Sequence, residues 1–487
     1  MLERLWNQVQ HPPGWPLTKL QRLMNKTLLG LALALGCVGS AGAVTFFEAK
    51  TEKAGTLADV IGVESWTTDS LVVIGPVNSD DFVTMWNCAF YGRTTIFNLE
   101  KAQLEGNEIP NHAFFNGEIQ NVPNKKKYLN LKRVILPEGI TAIGYDAFLM
   151  SRLQEVNLPE SLTSIGVGAF AECWLKKVVI PEVIPEISDY CFKRCSKMTS
   201  VTLPKGVKKI GKEAFELFAG SEVELPEGLE EIGEGAFSYA EFTQISLPNS
   251  VTKMGKNVFM GCMELTEVKW SDGLEELPEG AFWLGGFETL EVPGTIKVLG
   301  YESLGHCMNL REVTFGEGAR IFEMGVLWNC DKLESVVLPS TTEKLDQNMF
   351  GGCPLKMLVC KAQVPPVADF YTFSVRAGFD FPVYVPVGSA ELYSKAEGWN
   401  RFTNFIETND FPTAGAEAAF AAGGTKVTGA AGMAVIETAG ATAYEIYATD
   451  GRVAAAGVAD GGRTEVALPQ GVYVVASGGQ KVKVAVK

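Results

Sequence analysis

Cysteine is the residue type whose chemistry and spacing first suggest a site in this sequence. A thiolate can act as a nucleophile or bind a metal ion. Cys191 and Cys195 are separated by three residues and could form half of a metal site, but no second pair or nearby histidine completes it. A disulfide scaffold would show an even number of cysteines and irregular loops. Nine cysteines follow Cys37: Cys88, Cys173, Cys191, Cys195, Cys262, Cys307, Cys330, Cys353 and Cys360.

Histidines and acidic residues do not form a catalytic constellation either. His11, His112 and His306 lie far apart in the sequence. Acidic pairs at 230–231 and 275–276 fall at turn positions and are interpreted as solvated charges. Glycine pairs occur in IGVGAF and IGEGAF, but a dinucleotide fingerprint needs a third glycine that opens a helix. We therefore predict that the chain is not an enzyme and that it binds no cofactor or metal.

A sequence repeat explains the positions of the glycine pairs and of most of the cysteines. LPEGITAIGYDAF at 136–148 returns as LPESLTSIGVGAF at 158–170, and similar segments follow at steps of 22 or 23 residues. A fixed period of this length is typical of a solenoid. Six of the cysteines stand three residues after the repeated aromatic position, which favours a small buried slot. The repeated position is occupied by Phe148, Phe170, Phe192, Phe215, Phe237, Phe259, Phe282, Leu304, Leu327 and Phe350.

Each repeat is predicted to form one coil. In LKRVILP (131–137), apolar residues such as Val134 alternate with polar ones, which indicates a short strand. Pro137 ends the strand because proline has no amide hydrogen for the ladder. Ile140 and Ile143 form a second inward pair, and the AF dipeptide then sends an aromatic ring into the core. One coil cannot bury these faces alone, so the coils must stack.

The spacing L-x-x-V-x-L-P…I-G-x-x-A-F-x-x-C resembles the BspA-like class of bacterial leucine-rich repeats over about residues 131–360. This resemblance implies a right-handed, β-rich solenoid with a parallel sheet on one face and a period of 22–23 residues. The units at 282–327 depart from the pattern, because AFWLGG lacks the cysteine and Leu304 and Leu327 replace phenylalanine. The class is known from surface proteins of Bacteroides-type bacteria and some protozoa.

The regions that flank the repeats resemble parts of the same family. Residues 44–130 are predicted to be an N-terminal cap, with IPNHAFF at 109–115 as an incomplete first unit. Residues 131–407 are predicted to be the leucine-rich repeat solenoid with its terminal cap. Such caps are required because an exposed sheet edge invites aggregation. Three aromatic residues would cover the last coil: Tyr393, Trp399 and Phe402.

Composition changes after Thr408. Residues 408–430 are rich in Ala, Gly and Thr, which predicts a linker. Residues 431–487 are predicted to be a small C-terminal β-sandwich, with turns at Asp450-Gly451 and Gly478-Gly479. Its DGR and LPQGVYVV segments resemble the C-terminal sorting domain of the type IX secretion pathway. Look-alike domains also occur in bacteria without that pathway, which leaves the export route open.

Residues 1–43 are predicted to be a leader and signal peptide. A basic start at 24–26 precedes the apolar run LLGLALALGCVG, which is too short to span a membrane, and a small-residue cleavage site follows. We expect translation to begin at Met24 and the mature chain at Val44. Lipidation at Cys37 is the alternative. No stretch of the mature chain is expected to span a membrane as a helix.

The net charge of the chain indicates which classes of partner are unfavourable. The 487 residues carry a formal charge of −15 at pH 7, which argues against nucleic acid as a main partner. The same charge suits a monomer that repels its own copies. We expect the chain to be exported, and to reside on the outward face of the outer membrane or to be secreted.

Function is expected on the outward positions of the strands, where one row of residues could form a continuous binding surface. A solvated face whose residues have drifted would look the same. We predict recognition or adhesion to host or microbial proteins or glycans; a surface glycan-active enzyme and a structural surface-layer component are alternatives. The row continues from Ile135 through Asn157, Val179, Thr202, Glu224, Ser246, Lys269, Glu291, Thr314 and Val337.

Overall fold

Two compact units, Met1–Phe242 and Thr243–Lys487, divide the chain and are described in turn. Each contains coils whose strands pair in parallel with the next coil, so the predicted β-solenoid fold is confirmed. The predicted leader at 1–43 lies outside the described residues. The computed structural model describes residues 44–62, 66–115, 128–376, 378–413, 425–430, 432–448, 451–477 and 480–486.

The first unit opens with a cap of strands and helices. The buried Asp81 carboxylate accepts the backbone N–H groups of Gly55 and Leu57 at 2.7 and 2.8 Å, and it also closes a capping box with Asn78. One side chain thereby ties both helices together. Parallel pairing continues from the cap strands into the first coil. The elements are β1 (Phe46–Lys50), α1 (Leu57–Val60), β2 (Ser70–Val77), α2 (Ser79–Phe90) and β3 (Ile96–Leu104).

The coils of the first unit contain two parallel ladders. Its strands are β4 (Glu108–Ile109), β5 (Arg133–Ile135), β6 (Ala142–Ile143), β7 (Glu155–Val156), β8 (Ser164–Ile165), β9 (Lys177–Val179), β10 (Glu186–Ile187), β11 (Ser200–Thr202), β12 (Lys209–Ile210) and β13 (Glu231–Ile232). The longer strands pair in the order β1–β2–β3–β5–β7 and separately as β9–β11. The two-residue strands pair as β4–β6–β8 and as β10–β12–β13. This second ladder arises from the predicted inward isoleucine segment.

Stacked aromatic rings fill the core of the first unit. Neighbouring ring centroids are 5.2–5.5 Å apart and the ring planes lie within 10° of parallel. Aromatic pairs favour such stacking when it is offset. The rings are at most 1% exposed, so the period of the sequence becomes the spacing of the core. The stack consists of Phe148, Phe170, Phe192, Phe215 and Phe237.

The second unit continues with the same kind of coil. Its longer strands pair as β14–β16 and as β18–β20–β22–β24–β25–β26, and its shorter strands pair as β17–β19–β21–β23. These elements are β14 (Gln244–Ser246), β15 (Lys253–Met254), β16 (Glu267–Lys269), β17 (Glu276–Leu277), β18 (Thr289–Val292), β19 (Val298–Leu299), β20 (Glu312–Phe315), β21 (Ile321–Phe322), β22 (Ser335–Leu338), β23 (Lys344–Leu345), β24 (Met357–Cys360), β25 (Val383–Val385), α3 (Ala390–Lys395) and β26 (Phe405–Glu407).

An aromatic cluster closes the last coil, as the sequence predicts. Tyr393 and Trp399 are fully buried and Phe402 is 4% exposed. The rings of Trp399 and Phe402 lie 4.7 and 5.0 Å from the ring of Phe373, which belongs to the coil beneath. Trp399 Nε1–H donates a hydrogen bond of 2.9 Å to the carbonyl of Pro366, so its polar atom is satisfied.

The C-terminal strands are antiparallel and belong to one hydrogen-bonded sheet, in the order β27–β28–β30–β31 with β29 also paired to β28. They surround a buried cluster that includes Ile436, Ile446, Tyr473 and Val475. The long β28 pairs with β27 near its start, with β30 near its end and with β29 along most of its length. The strands are β27 (Thr425–Ala430), β28 (Met433–Ala448), β29 (Val453–Ala467), β30 (Gly471–Ser477) and β31 (Gln480–Val486).

The structure bears on the predicted linker and on one of the predicted turns. β27 occupies 425–430, the last part of the segment predicted as a linker. The predicted turn residues Asp450, Gly478 and Gly479 lie outside the described residues, although Gly451 does have the positive φ of 83° that such a turn requires. Among the helices that the structure describes, none is long and apolar enough to cross a membrane.

Candidate binding face

The candidate face consists of the outward side chains of the longer strands, which we term the strand face. Side chains alternate along a strand, so Val178 points into the core while Lys177 and Val179 point outward. Val179 is 67% exposed, and Asn157 and Thr202 are exposed as well. The parallel register of β9 and β11 places Val179 beside Thr202. The first unit thus presents the predicted row at these three positions.

Glu224 is exposed, but the strand expected around it is not formed; the described residues 222–225 lie outside any strand. The end of the preceding coil has Phe218 in the slot that cysteine fills elsewhere. A Cβ atom on Gly220 would lie 2.4 Å from the Phe218 ring, so the ring occupies space that a larger residue at 220 would need. The coil therefore packs differently from its neighbours at the point where the strand is lost.

A break in both ladders separates two coils of the first unit. Within the described residues, no strand pairing joins β7 to β9 or β8 to β10. The coils stay connected through the aromatic turn, where the Phe170 N–H donates to the Cys191 carbonyl at 2.9 Å. Pro185 contributes to the break, because the equivalent Thr163 donates its N–H to the preceding coil and proline has no N–H. We term this break the seam.

Asn157 lies on the strand face, directly after β7 and therefore in the coil that borders the seam. Its side-chain Oδ1 accepts the Leu136 N–H at 2.8 Å, and its Nδ2–H donates to the Leu136 carbonyl at 3.2 Å. The side chain therefore replaces ladder bonds toward the preceding coil. Val156 is half-buried here, whereas the equivalent Val134 and Val178 are buried. The seam leaves part of the core valine open to solvent.

A groove of about 480 Å³ lies along the seam. Its wall includes three cationic side chains and one carboxylate, and the Arg133 guanidinium Nε lies 3.5 Å from the Glu155 Oε2. None of the lining residues is aromatic. The groove was not predicted, because the repeat pattern continues through it without interruption. It is lined by Arg133, Val134, Ile135, Gln154, Glu155, Val156, Asn157, Lys176 and Lys177.

In the second unit, exposure of the predicted row decreases along the chain. Ser246, Lys269 and Glu291 are exposed, Thr314 is half-buried, and Val337 is only 3% exposed. The expected open face therefore does not extend to Val337. The change is gradual, so the last coils of this unit must be covered by another part of the chain.

Phe411 provides part of that cover. It packs against a buried cluster on the strand face that consists of Val337, Met357, Val359 and Tyr384. Both faces of β22 and β24 are consequently buried. The sequence carries a signal for this arrangement, because SVVL and MLVC are nearly continuous apolar runs, which are typical of strands buried on both sides.

Burial also affects a carboxylate next to this covered region. Glu312 lies on β20, in the outward column adjacent to Thr314. Desolvation raises the pKa of the Glu312 carboxyl above its ordinary value, and the nearby Glu334 carboxylate raises that pKa further. The strand face of the second unit thus changes from hydrated charges to a dry apolar surface within a few coils.

The cysteines occupy the predicted small buried slot. Cys173 Sγ donates to the Phe148 carbonyl at 3.1 Å, and Cys195 and Cys353 make the same contact with carbonyls in their preceding coils at 3.1 and 3.0 Å. Burial raises the pKa of the Cys173 thiol to about 12. A thiol held in this way is a poor nucleophile, since the thiolate is the reactive form.

The histidines that the structure describes are separate from each other. His112 Nδ1 lies 3.9 Å from the Asp146 carboxylate. His306 lies between Trp283 and Trp328, with ring centroids 5.0 Å from each. In the described parts of the chain, no group of three metal-binding side chains is brought together.

Known proteins share this repeat. The BspA type leucine-rich repeat region matches residues 123–242 and 230–356, in six copies. A leucine-rich repeat protein from Bacteroides ovatus is 20% identical, with a TM-score of 0.42, over 65% of this chain and 84% of that chain. A leucine rich cell surface protein from Faecalibacterium prausnitzii is 17% identical, with a TM-score of 0.34, over 76% and 86%. No curated protein sequence matches this chain.

The residues that match the family model are the residues that form the coils. The match from 123 to 356 covers the coils of both units that carry the stacked AF position. Parallel pairing in fixed register and the recurring buried slot show the same period independently of the family match. Residues 123–356 of this chain therefore match the BspA type leucine-rich repeat region in sequence and form coils of the same period.

Proposed function

We propose that this chain is an exported recognition or adhesion protein, at the cell surface or secreted, which binds host or microbial macromolecules through its strand face. The observation that carries the proposal is the open part of that face. In the first unit Val179 is 67% exposed, beside the buried Val178, and Thr202 is exposed; in the second unit Lys269 is exposed. Solenoids bind partners through such extended faces.

The proposed mechanism is wide contact with a pre-formed surface. The stacked rings and paired strands fix the spacing of the outward side chains, so little ordering is needed when a partner binds. A stable protein–protein interface usually buries about 1,200–2,000 Å² in total. Several coils of outward side chains are needed to supply such an area, which explains why repetition is useful for this function.

Surface location is part of the same proposal. Its support is the leader predicted at 1–43 and the resemblance of the C-terminal segment to a type IX sorting domain. We assign the described strands β27 to β31 the role of an export and attachment module. They lie outside the repeat match, which ends at residue 356.

A binding screen with a face variant tests the proposal. The mature chain from Val44 is presented to a panel of extracellular host proteins and surface glycans. We expect a partner whose binding is lost in Val179→Asp/Thr202→Asp. The control is Val183→Asp, which changes an equally apolar residue, 55% exposed, outside the strands. Equal binding by both variants would contradict the proposed face.

A further inference from the structure

We infer that the groove at the seam binds an acidic, extended peptide segment of the partner. This inference rests on the proposed function and specifies the chemistry of the ligand. The groove lies within the strand face of the first unit, between β5, β7 and β9. Its lining combines charge, apolar surface and backbone groups, and each of these favours a peptide of this type.

Charge gives the first argument. Arg133, Lys176 and Lys177 line the groove and are exposed, whereas Glu155 is the one carboxylate among the lining residues. Within the described residues, neither lysine forms an ion pair. This local cationic patch stands in a chain whose formal net charge is −15. An acidic ligand would therefore be attracted to this groove and repelled by most of the remaining surface.

Some lysines of the same unit have carboxylate partners. Lys208 and Lys212 lie 2.9 Å from the carboxylates of Glu230 and Glu234, each in the next coil. The charges of these two lysines are therefore compensated by carboxylates of the same chain. Lys177 begins β9, Lys176 immediately precedes it, and both are exposed in the groove. Two lysines without a carboxylate partner in the described structure therefore line one groove, where both can contact an external anion.

Apolar and backbone groups give the second argument. Ile135 and Val156 are half-buried in the lining, and the exposed Val179 follows on the same outward side of β9. The ladder break leaves the facing edges of β7 and β9 without strand partners in the described structure. The two coils stay stacked, with the Phe170 and Phe192 ring centroids 5.5 Å apart, so a peptide would lie over the outward side of these edges and not between them. A peptide that alternates acidic and apolar side chains would satisfy all of these groups.

An acidic glycan fits the lining less well. Sugar rings are bound in many sites by stacking on aromatic side chains, and the groove has no aromatic residue. Trp174 is near in sequence, but the Arg152 guanidinium lies over its ring at 5.1 Å from the ring centroid, and neither residue lines the groove. We therefore favour a peptide, and an anionic glycan becomes an outcome of the test.

The experiment measures binding of a fluorescent peptide of alternating Glu and Val to the full mature chain by anisotropy. A Gln-Val peptide and heparin are the comparison probes. We expect the Glu-Val peptide to bind, to weaken with added salt, and to bind about tenfold more weakly to Lys176→Glu/Lys177→Glu. Lys197→Glu/Lys205→Glu is the matched control, because both lysines are exposed, belong to the same unit and do not line the groove.

The outcomes separate this inference from the proposed function. Equal binding of the Glu-Val peptide by both double variants would overturn the inference, as would groove-dependent binding of heparin without the peptide. If a screened partner is lost in Val179→Asp/Thr202→Asp but kept in Lys176→Glu/Lys177→Glu, only the inference fails. If no screened partner is affected by either variant, the proposed function fails.

Discussion

At the scale of single residues, each coil depends on one buried ring and on a small number of size matches. Phe215 is 1% exposed and lies between Phe192 and Phe237, with ring centroids 5.5 Å from each. Removing a ring from such a stack leaves a cavity that rigid neighbouring coils cannot fill. Residues on the outward side of the same coil make no comparable contacts.

We therefore expect Phe215→Ala to lower the free energy of unfolding by about 3–5 kcal/mol, as truncation of a buried ring usually does. Glu224→Ala, on the exposed side of the neighbouring coil, should change it by no more than about 0.5 kcal/mol. Urea denaturation followed by circular dichroism measures both. Similar losses at the two sites would show that the inward and outward assignments are wrong.

Size matching can be tested in the second unit. Gly285 occupies the cysteine slot, and a Cβ atom there would lie 2.6 Å from Phe287 Cε2. In the first unit, the same two positions are Cys173 and Leu175, and both are buried. A small residue at the first position therefore accompanies a large ring at the second. The summed side-chain volume of these two positions is therefore similar in the two coils, although the residue types differ.

We expect Gly285→Cys to destabilise the protein by about 1–3 kcal/mol, because the new side chain overpacks the core. The double variant Gly285→Cys/Phe287→Leu reproduces the pair of the earlier coil and should recover part of this loss. A double-mutant cycle measured by urea denaturation should give a coupling of about 1 kcal/mol or more. Simple additivity of the single changes would contradict the size-matching argument.

The buried thiols predict a dependence on alkaline pH. Burial raises the pKa of Cys173 from 9.0 to about 12 in the folded chain. A raised folded pKa gives stability that is fully present below about pH 9 and is lost as pH rises toward about 12. The wild type should therefore lose stability above about pH 9 more steeply than Cys173→Ala, by at most about 1.4 kcal/mol per pH unit. Parallel slopes in urea denaturation at several alkaline pH values would refute this.

At the scale of elements, the sequence predicts the coils well because one strong period determines them. The strand, the proline stop and the AF turn each recur in register, and the structure places them accordingly. Leu304 and Leu327 replace phenylalanine and remain fully buried, so the apolar character of the position matters more than its shape. The terminal cap was predictable for the same reason, since its aromatic residues have no place in the repeat.

The details of the strand face were less predictable. The seam depends on Pro185 and on a few hydrogen bonds, and neither changes the hydrophobic period that reveals the coils. The burial of Val337 depends on Phe411, which is far away in the sequence. Apolar runs in β22 and β24 hinted that these strands are covered, but they do not identify the covering residue. A periodic pattern predicts which residues are buried in the core, but it does not predict contacts between residues that are far apart in the sequence.

Phe411 has a consequence for where the solenoid ends. A boundary at Glu407 would remove the residue that covers Val337, Met357 and Tyr384. We expect a chain ending at Thr413 to unfold like the solenoid of the full chain, and a chain ending at Glu407 to unfold at a lower temperature. Phe411→Ala in the full chain should cost about 1–3 kcal/mol, because its ring is only partly buried.

Calorimetry of these variants tests the role of Phe411. Phe370→Ala is a suitable control, because Phe370 is 59% exposed and belongs to the same unit. It should cost less than Phe411→Ala. Identical melting of the two shortened chains would show that the contact of Phe411 with the strand face contributes no stability.

At the scale of the whole molecule, the chain combines parts with different physical designs. The repeats derive stability from contacts between neighbouring coils, which lets such arrays lengthen without enlarging one core. The C-terminal strands pair antiparallel around a core of their own and follow no 22-residue register. A module built in this way does not need the coils in order to fold, and it can serve another purpose.

Export is the purpose we assign to it. In the native host, a chain ending at Thr413 should fold and accumulate inside the outer membrane instead of reaching the surface. Surface proteolysis and fractionation of cells that express this chain measure the distribution. Thr202→Asp is the control, because it changes the strand face alone and should be displayed normally. Normal surface display of the shortened chain would leave the C-terminal strands without a sorting role, and their antiparallel sheet would then be a second candidate surface for binding.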